Sequence, residues 1–279
     1  MIIVSLHSQM GNQMFQYAFA VSTSKKVNTL FLLYLTSNYN SYLLGYFHID
    51  PITDCFFKNQ FLKKIYRSFC RKIEKKKLLK SFNENQFSVV ECRENNSFYY
   101  GYFQSEEYFK FTDKTIKKRF KVKQKYVNLF REKYSYMFLN HKIIVVHFRR
   151  KDYNDIELES LGGKGYVLPI DYYNTALSTI KDIHAYEVFF IGDDMNSIKK
   201  DFELKPNYHF EENSSIVDFQ LIQNADIAII GNSTFAWWAA YLSLKPNSRI
   251  LAPKYWLGFK VKETFPPKIE TNKFEWIEF

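Results

Sequence analysis

The stretch Asp218–Leu242, DFQLIQNADIAIIGNSTFAWWAAYL, decides the fold. Its first part puts Phe219, Ile222 and Ala225 on one helical face. DIAII follows, short and almost wholly apolar, as suits a strand of a parallel sheet buried on both faces. GNST is a tight polar loop with an N-cap residue, and FAWWAAYL reads as a deeply buried helix. Helix, buried strand, loop and buried helix belong to an open α/β sheet, whose ligands bind at the carboxyl ends of the strands. The N–H groups that open a helix at Ser233 and Thr234 lack intrahelical partners and carry the positive end of the helix dipole, so this loop, Asn232 included, suits a phosphate. Taken alone, the same residues also make an ordinary helix cap.

Outward from this stretch the same grammar recurs. KIIVVHFRRKDY (142–153) is a buried strand with a very polar end. Alternation sends His147 and Arg149 to one side, Phe148 and Arg150 to the other. Two arginines at such a strand end require an anion or a carboxylate. Asp152 can orient one, and the planar fork of the other suits a phosphate. EVFFIGDDM (187–195) is a further strand and loop. Its Asp193 and Asp194 can accept hydrogen bonds from a ribose or a guanine edge, or clamp a divalent metal on a diphosphate. Asp194 can equally cap the next helix. Because the arginines can neutralise a diphosphate unaided, the expectation is that no metal is needed. At the N-terminus, strand MIIVSL runs through HSQMGNQ into a helix that buries Met14, Tyr17, Ala18 and Val21. Gly11 allows a tight turn there, and Asn12 and Gln13 offer amide donors.

The chain has 279 residues, 46% of them hydrophobic and 19% aromatic, with a net charge of +10. That balance fits nucleic acid, a nucleotide-activated substrate or an acidic membrane surface. The aromatics fall at core periodicity and the basic residues match no nucleic-acid motif, so no nucleic-acid partner is expected. Cys55, Cys70 and Cys92 lack metal or disulfide spacing. With no signal peptide and no apolar run approaching about 18 residues, a cytoplasmic protein is expected. FLKKIYRSFCRKIEKKKLLK (61–80) reads as a helix with an apolar stripe of Phe61, Ile65, Tyr66, Phe69 and Ile73. Its basic face is either solvated or lies on an anionic inner membrane face. Residues 111–138 read as one long charged helical region, NDIELESLGGKG as a mobile polar loop, and the Pro-broken aromatic tail as packing back over the surface. The boundary is expected near His141, giving one domain at 1–140 and a second at 141–279.

Together GNQMFQYAFA, GYFQSEEYF, HFRRKDY, FIGDDM and the opening stretch resemble glycosyltransferase family 11, the α-1,2-fucosyltransferases. The resemblance implies an α/β fold of the GT-B type, two Rossmann-like domains facing a cleft. It implies GDP-β-L-fucose as donor, a glycan acceptor (a galactose O2), and inversion without a metal or other cofactor. It places Arg149 on the donor β-phosphate, His147 and Asp218 at the guanosine, Ser233 and Thr234 on the diphosphate, and Asn12 at the phosphate–fucose end. Asp152 is a candidate base, or else a partner of the arginines. Two positions depart from the family pattern: His7-Ser8-Gln9 replaces a glycine-rich run, and Lys151 stands where glycine is usual.

Overall fold

Two parallel sheets, each alternating with helices, make up the computed structural model, which describes residues 1–35, 42–49, 59–84 and 93–279. They belong to two units, one of residues 1–123 with 267–269, the other of residues 124–266 with 270–279. The expected boundary at 140/141 therefore moves to 123/124. The region 111–138 is not one helix: it breaks around Phe120–Lys123, where Val122 bridges Phe47. The helix after the break packs Tyr134 and Phe138 on Phe189 of the second unit, and that packing assigns it there.

The first unit holds β1 (Ile2–Leu6), α1 (Met10–Lys26), β2 (Phe31–Leu35), α2 (Tyr42–Tyr46), α3 (Gln60–Lys75), β3 (Lys80–Asn83), β4 (Ser97–Tyr100) and α4 (Asp113–Arg119). Its sheet runs β2-β1-β4-β3, all parallel. α1 is buried over Met10–Thr23 apart from Asn12. Phe19 of that helix stacks on Phe103 at 3.8 Å and meets Tyr99 and Tyr108 edge-on, so the aromatic content serves the core. Ser105 caps the short turn Glu106–Tyr108 by accepting from Glu107 N. In α3 the expected stripe divides. Tyr66 and Ile73 are buried, together with Cys70, whereas Phe61, Ile65 and Phe69 face solvent. At about 100° per residue Tyr66, Cys70 and Ile73 centre the buried side on one edge of the stripe, which leaves Phe61, Ile65 and Phe69 on the other edge outside it. Cys55 and Cys92 lie outside the described residues.

The second unit holds α5 (Gln124–Asn140), β5 (Lys142–Phe148), β6 (Glu157–Leu158), β7 (Gly163–Lys164), α6 (Ile170–Ser178), β8 (Tyr186–Gly192), α7 (Met195–Asp201), β9 (Tyr208–Glu211), α8 (Ser215–Asn224), β10 (Ile227–Ile230), α9 (Thr234–Tyr241), β11 (Arg249–Pro253) and β12 (Glu275–Ile277). Its sheet runs β12-β11-β10-β5-β8-β9, again all parallel. β5 and β10 are central and carry the unbroken apolar runs, because helices cover both faces there. The tail adds β12 as a parallel edge strand on β11. The polar loop 154–165 is not loose: β6 and β7 form a small antiparallel hairpin, and Leu161 beneath it packs with Tyr166 and Phe265. Among the described residues no helix is long and apolar enough to cross a membrane.

Candidate active site

The chain leaves β5 for β8 and β9 on one side, then returns to β10, β11 and β12 on the other. The carboxyl ends of β5 and β10 are therefore a topological switch point, where a crevice opens between diverging crossovers. His147 is in register with Ile230, and Gly231 N donates to His147 O at 3.0 Å. A Cβ on Gly231 would lie 3.1 Å from Tyr173 Oη and 3.2 Å from His147 O. One on Gly192, which ends β8, would lie 2.8 Å from Phe148 O. The glycines of FIGDD and IIGNST thus let neighbouring strand ends converge on HFRRKD.

Arg149 sits at that convergence. Its Nη2 donates to Asp152 Oδ2 at 2.6 Å, its Nη1 is 3.4 Å from Asp193 Oδ2, and its guanidinium lies 5.8 Å from the Tyr153 ring centroid. Arg150 points the other way, as strand alternation requires. It lies over the Phe148 ring and donates to Ser197 and Asp201 of α7. Both arginines thus have carboxylate partners. The two aspartates diverge: Asp193 Oδ1 accepts from Arg150 N at 2.8 Å, and Asp194 caps α7 through Ser197 N.

Around Arg149 several buried polar atoms lack a protein partner. They are His147 Nδ1, Asn232 Oδ1 and, apart from its ion pair with Arg149, Asp193 Oδ2. Burial, reinforced by the Arg149 charge, pushes the His147 imidazole down to about 3, so it is neutral at pH 7. Asn232 is fixed from both ends, its Nδ2 donating to Tyr166 O at 3.0 Å and its O accepting from Tyr153 Oη at 2.8 Å. Ser233 is buried and is the N-cap of α9, yet its hydroxyl makes no capping bond. Thr234 is half-buried and opens the helix. Buried polar atoms without partners are rare, and these three gather at the carboxyl ends of β5, β8 and β10, as suits a place that takes a polar ligand. A phosphate accepts what Arg149 and the α9 N–H groups donate.

Asp218 lies one loop away, in the first turn of α8, accepting from Asn213 Nδ2 at 3.1 Å. Asn213 and Glu211 are tied to α5 by Lys133 and Tyr134 at 2.7–2.9 Å. Phe235 joins the two regions, its ring centroid 5.6 Å from both His147 and Phe219. Asn12 belongs to the first unit, at the switch point between β1 and β4. There it donates to Ser8 Oγ and accepts from Gln104 Nε2, each at 2.7 Å.

Residues 1–278 match the family model described as Glycosyl transferase family 11. The chain belongs to glycosyl transferase family 11. An alpha-1,2-colitosyltransferase of Escherichia coli is 28% identical, over 95% of this chain and 96% of its own. The O-antigen biosynthesis glycosyltransferase WbnK of Escherichia coli is 25% identical, over 91% and 94%. The crystal structure of NodZ alpha-1,6-fucosyltransferase soaked with GDP-fucose superposes with a TM-score of 0.52 at 15% identity, covering 86% of this chain and 91% of that one. The fold is the mixed α/β, parallel-sheet fold of GT-B-type glycosyltransferases.

In this family 11 enzyme both departures from the family pattern have a backbone explanation. Ser8 adopts φ 65°, the left-handed region that glycine reaches without strain. Its hydroxyl and carbonyl hold Asn12 and Gln13, which helps to fix that conformation. Lys151 is in the ordinary right-handed helical region and needs no glycine. Several contributors carry no residue-level signal of their own in the sequence. Tyr153 and Tyr166 anchor the Asn232 loop, and Tyr173 packs beneath it. Asn213, five residues before Asp218, bonds it directly, and Lys133 and Tyr134 of the distant α5 hold Asn213 and Glu211 in place. Only Tyr153 and Phe235 lie inside stretches whose pattern already pointed to the site.

Proposed function

We propose that this family 11 enzyme transfers L-fucose from GDP-β-L-fucose to a hydroxyl of a glycan, a galactose O2, with inversion and without a metal. The observation that carries the reading is Arg149, held at the β5–β10 switch point beside unpartnered buried polar atoms and the opening of α9. Family membership and the alpha-1,2 linkage in the name of one relative support it. The acceptor oxygen forms its bond to the anomeric carbon on the face opposite GDP. The bond from that carbon to the diphosphate oxygen breaks, and the electron pair leaves with GDP. Arg149 and the N–H groups at Thr234 and beyond stabilise the charge that grows on the diphosphate, which is where transition-state stabilisation is most effective. The hydroxyl proton passes to solvent or to a carboxylate, and Asp152 is the carboxylate paired most closely with Arg149. In this reading His147 and Asp218 line the guanosine.

A second donor, GDP-colitose, is favoured by the colitosyltransferase relative. Colitose is L-fucose without its 3-hydroxyl, so the same diphosphate chemistry serves both. A panel of GDP-fucose, GDP-colitose, GDP-mannose and UDP-galactose, read by nucleotide release with a galactoside acceptor, tests both readings. Turnover of GDP-fucose is expected, and preference for GDP-colitose selects the second donor. Turnover of UDP-galactose alone would sink the guanine assignment.

A further inference from the structure

The net charge of the chain is local. Residues 61–80 contain nine of the 39 Lys and Arg but one of the 29 Asp and Glu, which leaves 30 against 28 elsewhere. Most of that charge lies on α3 and on the turn after it. Asn59 caps this helix by accepting from Phe61 N and Leu62 N, and Tyr66, Cys70 and Ile73 root it in the first unit. The helix is therefore a fixed element. On its outer side Phe61 is 70% exposed, Ile65 52% and Phe69 47%, with Leu78 64% exposed just beyond. At about 100° per residue Phe61, Ile65 and Phe69 form one ridge. By the same spacing Lys72 falls within the ridge, while Lys64 and Lys75 border it. Among the described residues Lys64, Lys72, Lys75, Lys76 and Lys77 form no ion pair.

Large exposed apolar side chains next to unpaired cations are costly to leave in water and match one kind of surface. We propose that α3 and the turn Lys76–Leu79 are a docking surface for an anionic phospholipid bilayer. The ridge enters the interface between headgroups and acyl chains while the lysines meet lipid phosphates. A nucleic acid would engage the cations but leave the aliphatic and phenyl ridge unused. The inference does not depend on which donor or acceptor the enzyme takes.

The test is co-sedimentation of the full chain with phosphatidylcholine vesicles, with and without phosphatidylglycerol. Binding to the anionic vesicles is expected, weakening as salt rises. Joint replacement of Lys64, Lys72 and Lys75 by Ala should weaken it by about 100-fold. The pair Phe61→Ser and Phe69→Ser should weaken it by roughly tenfold. Thermal unfolding and GDP binding should stay unchanged in both variants, since the ridge is exposed and α3 is no part of the nucleotide site. Equal binding to neutral and anionic vesicles, or binding indifferent to these substitutions, overturns the proposal. So does a dimer, seen by light scattering, that the two Ser substitutions abolish while vesicles go unbound, because the ridge then belongs to a second copy of the chain.

Discussion

Arg149 is clamped by Asp152, with Nη2 2.6 Å from Oδ2 and the two residues in one loop three positions apart. The pair keeps a guanidinium aimed into the crevice at the end of a buried strand. In the proposed reaction a diphosphate would share the fork with the carboxylate, and its growing charge would draw Arg149 further toward it. Arg149→Ala is therefore expected to fold normally and to lose roughly 100- to 1,000-fold in turnover. Arg149→Lys should recover little, because an ammonium cannot reproduce the planar two-pronged contact. Near wild-type turnover by folded Arg149→Ala would remove this residue from the site.

Arg150 predicts the opposite separation. It serves α7 through Ser197 and Asp201 and covers Phe148. Arg150→Ala should cost about 1.5–3 kcal/mol in stability, the range for hydrogen bonds to charged groups. Urea unfolding measures this. An unchanged midpoint with abolished turnover would place Arg150 on the substrate instead.

Asp152 has two possible roles with different signatures. Its side chain is 55% exposed, so as a partner of Arg149 it is worth under about 1 kcal/mol. The expectation for Asp152→Asn is a change of less than about tenfold in kcat/KM, carried by the KM for the donor. A fall of 100-fold or more in kcat at unchanged donor affinity would identify Asp152 as the proton acceptor.

Asp218 makes stability depend on pH. Burial, with the nearby Glu211 charge adding, raises its carboxyl to about 7, against the pull of Asn213 and Lys133. The folded state thus holds a proton that the unfolded chain releases at its ordinary 3.8. The contribution is fully present below that value and is lost as pH rises through about 7. Asp218→Asn should gain on the wild type across this window, so the stability difference is larger at pH 8 than at pH 5. Equal differences at the two pH values, by urea titration, would show that this acid does not titrate there.

Metal independence is a prediction about Arg149 rather than about the aspartates. Asp194 is spent on the cap of α7, and Asp193 on Arg150 N and Arg149. Turnover should survive excess chelator with little loss. Abolition by chelator and restoration by manganese would return the diphosphate to these two carboxylates.

The sequence by itself determined the parallel α/β class and the strand-end loops of the site. Uninterrupted apolar runs such as IIVV and IAII, bounded by turn residues, suit strands covered on both faces, and Gly, Asn, Asp and Arg after them suit loops that meet a ligand or a helix cap. The opposite directions of Arg149 and Arg150 followed from strand alternation alone. Tertiary structure decided what local pattern cannot carry. The helix Gln124–Asn140 joins the second unit because Tyr134 and Phe138 find Phe189. Asp218 gains its raised proton affinity from burial beside Glu211, a neighbour brought by β9. In α3 periodicity marks one apolar side, and only packing turned its Tyr66, Cys70 and Ile73 edge to the core and left Phe61, Ile65 and Phe69 outside. Periodicity specifies which residues share a side of an element; which side meets the core is set by contacts between residues distant in the chain.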